Sequence, residues 1–216
     1  MHLHLSGLRA VVTDGTSGLG AAIVHALAVQ GCHVDFCALE RAAADTVQAS
    51  VRGLAGKARA RLLDATDTPL LQDWMAGLEG FDILVPNVRV VSGDPRRALE
   101  VDIRATVNAT ESAIPLLRRS RHPVITYVGT AMSPGISSAA MAHYMKALTA
   151  RLQPGMRINT VSPGDAPDDS HEEMARVVAF VSGPAAWWVF DSRRVAAAAE
   201  PFNRAAAVVA GRSPAA

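Results

Sequence analysis

The side chains best suited to acid–base chemistry lie in one Ala-rich segment, Ala139 to Leu152. Its apolar spacing predicts a helix, and Lys146 places an ammonium group on it. His143, three residues earlier, falls on nearly the same helical face and could donate a proton, the alternative being a surface or capping histidine. Tyr144 precedes the lysine by two residues, roughly 200° around a regular helix, and is expected to pack instead of reacting. Lys146 and His143 are therefore candidate catalytic residues.

A second candidate site is the string VVTDGTSGLG, Val11 to Gly20, which follows a short apolar run and opens a helical segment. A helix N-terminus offers unpaired N–H groups and a partial positive charge to a phosphate, and glycines let the phosphate approach. The turn contains Thr13, Gly15, Ser17, Gly18, Leu19 and Gly20. Asp14 adds a carboxylate, which beside a bound phosphate would cost about 1 kcal/mol or more. The alternative is an Asx-type turn that directs this side chain away.

A parallel sheet is predicted to position both sites. From Arg9 to about Ser162, short β-branched runs alternate with longer helical segments, which is typical of βαβ units. Strands are predicted at 9–14, 33–37, 58–64, 82–86, 123–129 and 157–162, and helices at 19–30, from 41, at 67–78, 95–119 and 139–152. Six such steps predict a doubly wound sheet with ligands at the carboxyl ends of its strands.

The chain length predicts one domain. With 216 residues, half of them apolar, it can bury one substantial core but not two ordinary ones. We expect a single domain over residues 1–210 and a frayed tail over 211–216. Beyond Pro163, a helix is predicted from Asp169 or Ser170 to about Val181, and another over 195–208.

The composition narrows the classes of partner that the protein is expected to bind. The net charge is +1 with 19% charged residues and no basic block, which argues against nucleic acid or an anionic membrane and leaves a small-molecule substrate or a protein partner. No apolar stretch reaches the length of a membrane span, and no metal site is expected. Cys32 and Cys37 should face opposite sides of one strand and stay unbridged. A cytoplasmic protein is the simplest interpretation.

The glycine turn resembles the Thr-Gly-x-x-x-Gly-x-Gly turn of short-chain dehydrogenases/reductases. Further landmarks follow in the family's order: LLDATD with Asp64, LVPN with Asn87, MKALTARL with Lys146, and RINTVSPG with Pro163 and Gly164. The resemblance extends over roughly residues 5–183. It implies a three-layer α/β Rossmann fold with a mainly parallel sheet in the order 3-2-1-4-5-6, the seventh strand short or absent.

The resemblance also implies a cofactor, NAD or NADP. Asp64 would contact the adenine ring, Asn87 would lie near the cofactor, and Pro163 and Gly164 would line the nicotinamide end. The turn residues Thr13 to Gly20 would hold the pyrophosphate.

Several positions depart from the family's cofactor site. Asp14 replaces the first glycine of the turn, and Arg89 replaces the last glycine of Asn-Asn-Ala-Gly. Ala38 and Leu39 stand where the family places an Asp for NAD or an Arg for NADP, although Arg41 could reach a phosphate. We expect cofactor binding to be weak or absent, and we expect Asp14 and Arg89 to pair across the pyrophosphate space.

The catalytic positions depart as well. Family members use Tyr-x-x-x-Lys on one helix because the ammonium lowers the phenol's pKa. Four residues before Lys146 stands Ala142, which has no proton to give. The family's serine falls on Thr130, and its water-holding asparagine falls on Asp102, which could ion-pair with Lys146. Losing a positioned acid typically costs about 10²–10⁴ in rate.

Three functions remain open at this point. The first is a non-catalytic relative that serves as a structural or partner subunit of an active NAD(P)-dependent ketoreductase or alcohol dehydrogenase. The second is an atypical ketone reductase or alcohol dehydrogenase that takes its proton from Thr130, His143 or the substrate. The third is a small-molecule or regulatory binding protein that keeps only the cleft.

Association is expected through the helices at 95–119 and 139–152, as a homo-oligomer or with an active relative. Both helices carry small residues that would allow close approach. These are Ala98, Ala105, Ala109 and Ala113 on the first helix, and Ala139, Ala140, Ala147 and Ala150 on the second.

Overall fold

The computed structural model of the chain describes residues 3–16, 18–88, 95–129, 136–161 and 170–187. Its strands are β1 (Arg9–Val12), β2 (His33–Ala38), β3 (Lys57–Leu62), β4 (Ile83–Val85), β5 (Val124–Val128) and β6 (Arg157–Val161). Its α-helices are α1 (Gly18–Val29), α2 (Arg41–Ser50), α3 (Thr68–Ala76), α4 (Pro95–Leu117), α5 (Ile136–Leu152) and α6 (His171–Ser182). A short 3₁₀ turn, Pro184–Ala186, follows α6.

The six strands form one parallel sheet in the order β3-β2-β1-β4-β5-β6, which confirms the predicted topology. Each element predicted up to residue 181 is present, and most strands end one or two residues inside their predicted bounds. The helix predicted at 195–208 and the tail lie outside the described residues, and the expectation that a seventh strand is short or absent stays a prediction.

Apolar side chains alternate along the strands and feed two cores, one on each face of the sheet. Ala10 and Val12 of β1 pack with α1, α2 and α6, whereas Val11 points to the core formed with α3, α4 and α5. Cys32 belongs to the first core and Cys37 to the second, and both are free thiols, as predicted. Burial on both faces explains why the inner strands are almost continuously apolar.

The edge strand β3 has a different composition because only part of it is covered. Its sequence KARARL places Lys57, Arg59 and Arg61 in solvent, while Ala58 and Ala60 are half-buried against the core. Charged side chains on an edge strand disfavour pairing with another sheet.

The structure corrects one part of the association argument. On α4, Ala105, Ala109 and Ala113 are at most 2% exposed and pack in the protein's own core, so they cannot line a contact with another chain. The side chain of Ala98 lies outside the described ones. On α5, Ala139, Ala147 and Ala150 are exposed.

Within the described ranges, no helix is both long and apolar enough to cross a bilayer.

Candidate functional site

The turn after β1 is fastened to the end of β4 by buried hydrogen bonds. The hydroxyl of Thr13 donates to the carbonyl oxygen of Asn87 at 2.7 Å, and the Asn87 N–H donates back to that hydroxyl at 2.9 Å. The Asn87 amide then donates to the carbonyl oxygen of Asp14 at 2.9 Å. Thr13 and Asn87, two predicted cofactor residues, therefore act first as braces that fix the turn.

Asp14 stands in the left-handed region of backbone conformation, with φ 46°. Asp and Asn tolerate this region better than most residues with a side chain, so Asp14 can occupy a glycine position without distorting the turn. Its N–H points to the sulfur of Cys37 at 3.4 Å, and the next N–H, of Gly15, donates to the Cys37 carbonyl oxygen at 3.1 Å. The hydroxyl of Thr16 lies 3.5 Å from an Asp14 carboxylate oxygen.

Two glycines of the turn are required by close packing. A Cβ on Gly20 would overlap the carbonyl oxygen of Asp14 and lie 2.8 Å from the Asn87 amide nitrogen. A Cβ on Gly15 would lie 2.8 Å from the Phe36 side chain. Leu19, between the glycines, is half-buried against the core. Gly20 therefore lets the N-terminus of α1 lie close to Asn87 after β4, and Gly15 lets the turn lie close to Phe36 of β2.

His171, the first residue of α6, was not predicted from the sequence. A Cβ on Gly18, where φ is 48°, would lie 3.1 Å from Cε1 of His171. The imidazole therefore stands beside the N-terminus of α1. More than 150 residues separate the two positions, and no local sequence pattern links them.

The position of α6 depends on Arg157 in β6. Its guanidinium donates to the carbonyl oxygens of Val181, Ser182, Gly183 and Ala186 at 2.9–3.3 Å. Burial lowers the pKa of this guanidinium. Such cation–carbonyl bonds at a helix C-terminus are favourable because they satisfy groups that the helix leaves unpaired.

Asn159 and Thr126 add two further hydrogen bonds beside the carbonyl clamp, the set of bonds from Arg157 to the carbonyl oxygens at the end of α6. The Asn159 amide donates to the Val181 carbonyl oxygen at 2.9 Å, and the hydroxyls of Thr126 and Ser182 lie 2.8 Å apart. The C-terminal end of α6 is thus attached to the sheet, while its N-terminal end lies at the glycine turn.

A cavity of about 350 Å³ opens at the carboxyl ends of β1, β2 and β4. Its lining includes Asp14, Ala38, Leu39, Asp64 and Arg97, together with Asn87. One oxygen of the Asp64 carboxylate accepts the N–H and the hydroxyl of Thr66, both at 2.8 Å. The structure therefore brings the predicted residues Asp14, Asp64 and Asn87 into one cavity, at the strand edge where doubly wound folds bind ligands.

Five predicted positions lie outside the described residues. They are Ser17, Arg89, Thr130, Pro163 and Gly164. The expected pairing of Asp14 with Arg89 therefore stays a prediction.

On α5, the candidate catalytic side chains are exposed. Ala142, His143 and Lys146 all face solvent. Tyr144 points to α4, where its hydroxyl donates to Glu111 at 2.9 Å, and Arg151 donates to both oxygens of the same carboxylate at 2.7 and 2.9 Å. Burial, and then the hydrogen bond to Glu111, raise the pKa of Tyr144. Tyr144 is thus a packing residue, as its spacing from Lys146 predicted.

The proposed ion pair between Asp102 and Lys146 is wrong. Asp102 is 1% exposed and lies beside the buried Tyr127, whereas Lys146 is exposed, and no ion pair joins the two among the described residues. Burial raises the pKa of Tyr127, and the Asp102 carboxylate raises it further by its charge and by a side-chain hydrogen bond. The side chain of Asp102 therefore faces the sheet, and the Lys146 side chain does not reach it there.

Comparison with known proteins is consistent with this geometry. The profile of the family described as short chain dehydrogenase matches residues 9–175. The chain belongs to the short-chain dehydrogenase family. Nodulation protein G of Rhizobium sp. (strain N33) is 30% identical over 180 residues, which cover 74% of each chain. The mouse L-fucose dehydrogenase is 28% identical over 189 residues, covering 79% of this chain and 69% of that protein.

Solved structures of the family superpose well on the described fold. A short-chain dehydrogenase/reductase from Serratia marcescens is 26% identical, with a TM-score of 0.74 over 87% of this chain and 95% of that one. An NADH-dependent reductase complexed with NAD is 22% identical, with a TM-score of 0.78 over 88% of this chain and 95% of that one, a likeness of fold. This member of an oxidoreductase family therefore keeps the family's sheet and glycine turn.

Proposed function

We propose that this chain is a short-chain dehydrogenase relative with severely impaired or absent catalysis, acting in the cytoplasm as a structural or partner subunit of an active NAD(P)-dependent ketoreductase or alcohol dehydrogenase. The observation that carries the proposal is the pair Ala142 and Lys146. Both side chains are exposed on α5, and a methyl group stands where the family holds its proton donor. The nearby phenol of Tyr144 is engaged by Glu111 on α4.

We further propose that the cavity binds NAD or NADP weakly, in the high-micromolar range. The braced turn and the cavity at the strand ends support a retained dinucleotide cleft. The Asp14 carboxylate disfavours a pyrophosphate at the same turn, because like charges a few ångströms apart cost about 1 kcal/mol or more.

The partner would contact the exposed face of α5. Ala139, Ala147 and Ala150 lie on that helix in solvent, and small side chains there permit close helix approach. Light scattering should give a dimer or larger species, alone or mixed with an active relative encoded beside it. If the chain stays a monomer alone and does not bind that relative in the mixture, the subunit role is contradicted and a small-molecule binding protein is favoured.

A second candidate function is an atypical ketone reductase that uses His143 as its acid. The imidazole is exposed on α5, three residues before the exposed Lys146. Replacement of His143 by Gln would abolish the activity of such an enzyme and would leave an inactive subunit unchanged.

The catalytic part of the proposal is tested by Ala142→Tyr. With NADH or NADPH and a panel of ketones, the chain itself should show no turnover above background. The variant restores the Tyr-x-x-x-Lys spacing and should gain up to about 10²-fold, the lower end of what a positioned acid contributes, because the cofactor turn remains defective. Ala142→Phe, which places the same ring at this position without the hydroxyl, is the control and should gain nothing. Ordinary turnover by the unmodified chain would overturn the proposal.

A further inference from the structure

The end of β2 in this chain has no polar side chain to read a ribose. Ala38 is buried and Leu39, although 64% exposed, is apolar. Dinucleotide-binding folds distinguish NAD from NADP near this point, with a carboxylate that accepts a hydrogen bond from the 2′-hydroxyl or an arginine that holds the 2′-phosphate. The next residues, Glu40 and Arg41, are exposed and do not line the cavity. Within the described lining, a polar side chain that contacts the ribose must therefore come from another element.

The main chain of the turn after β1, at Asp14 and Gly15, contacts the end of β2. The Asp14 N–H lies 3.4 Å from the Cys37 sulfur, and the following N–H donates to the Cys37 carbonyl oxygen, immediately before Ala38. The left-handed backbone of Asp14 and the bond from Asn87 to its carbonyl oxygen hold the residue in this place. Asp14, Ala38 and Leu39 line the same cavity.

The charges of the cavity favour a hydroxyl over a phosphate. A carboxylate accepts hydrogen bonds but donates none, and a 2′-phosphate carries a charge of about −2. Asp64 adds a second negative charge to the lining, and one of its oxygens is already engaged by Thr66.

The cation that lines this cavity, Arg97, stands on a different wall. It belongs to α4, which follows β4, whereas Leu39 follows β2, and β1 lies between these two strands. Arg97 is thus separated from the end of β2 by β1, the strand that leads into the turn with Asp14. The geometry does not place it as the family's arginine for a 2′-phosphate would be placed.

We infer that Asp14 is the specificity residue of this cleft: its carboxylate accepts a hydrogen bond from the 2′-hydroxyl of an adenosine ribose, so that the chain binds NAD in preference to NADP. The inference rests on the proposed dinucleotide cleft and deepens it. The same carboxylate weakens binding of both dinucleotides through the pyrophosphate and penalises NADP additionally through its 2′-phosphate.

The test is a calorimetric titration of the full chain with NAD, NADP and 2′-deoxy-NAD. We expect NAD to bind at least tenfold more tightly than NADP, and 2′-deoxy-NAD to bind about tenfold more weakly than NAD, the size of one hydrogen bond to a charged group. In Asp14→Asn and Asp14→Gly, the ratio of the NADP to the NAD dissociation constant should fall at least tenfold. Asn suits the left-handed backbone, and Gly is the family's residue, so both variants should fold.

The control is Asp45→Asn on α2, which removes the same charge from an exposed site outside the cavity and should leave the ratio unchanged. Equal affinity for NAD and NADP, or a preference that survives both Asp14 variants, would overturn the role of Asp14 and leave the cleft proposal standing. If none of the three dinucleotides binds at millimolar concentration, the cleft proposal and this inference both fail.

Discussion

Replacing Arg157 with methionine should detach the C-terminal end of α6 from the sheet. The guanidinium donates to four carbonyl oxygens, and two of these keep another donor: Val181 bonds to Asn159, and Gly183 accepts the N–H of Ala186. The carbonyl oxygens of Ser182 and Ala186 have no second donor in the described part of the chain.

The size of the effect follows from these two carbonyls. A buried polar group left unsatisfied costs about 1–3 kcal/mol, so two cost about 2–6 kcal/mol. Part of this is offset because the partly buried guanidinium, whose pKa burial lowers, no longer has to be desolvated. We expect a loss of about 2–4 kcal/mol in the free energy of unfolding, which for a chain of this size lowers Tm by roughly 10 °C.

Urea titration followed by circular dichroism measures this loss. Arg176→Met is the control. Arg176 lies on α6 itself, in an exposed i,i+4 pair with Glu172, and such pairs contribute about 0.3–0.5 kcal/mol. If Arg157→Met unfolds at the same urea concentration as the unmodified chain, or if both variants lose equally, the carbonyl clamp does not hold α6 as argued.

Two further predictions concern the glycine turn and Cys37, one of the two buried thiols. Gly20→Ala should lower the free energy of unfolding by about 1–3 kcal/mol and weaken NAD binding, because its Cβ would displace the Asp14 carbonyl from the Asn87 amide. Gly77→Ala is the control. Its Cβ would make contacts of 3.5 Å, so it should be nearly neutral in the same urea titration. Burial raises the pKa of Cys37 from about 9 to about 12, so the folded chain keeps this proton longer than the unfolded chain, and stability should fall from pH 9 toward pH 12. Cys37→Ala should flatten that fall in urea titrations at pH 8 and 10.5, and an unchanged slope would contradict the assignment.

The sequence alone determined the order of elements, the parallel sheet and the family. Strand-forming runs and helical spacing are local signals, and the inner strands here are buried on both faces, so that their composition is unambiguous. The same locality made Tyr144 predictable, because the angle between side chains on one helix depends only on their separation in sequence. It also placed Thr13, Asn87 and Asp64 at strand ends that the topology brings together.

Only the tertiary structure decided which side chains meet across elements. The sequence suggested an Asp102–Lys146 pair, yet the rotation of α4 against the sheet turns Asp102 toward Tyr127 and leaves Lys146 in solvent. The same rotation buries Ala105, Ala109 and Ala113, which in sequence resemble an interface stripe. His171 reached Gly18 because Arg157 anchors the opposite end of its helix, and the main chain at Asp14 reached the end of β2 because parallel pairing aligns Val12 with Phe36. Such contacts depend on packing between distant segments, and no spacing along the chain encodes them.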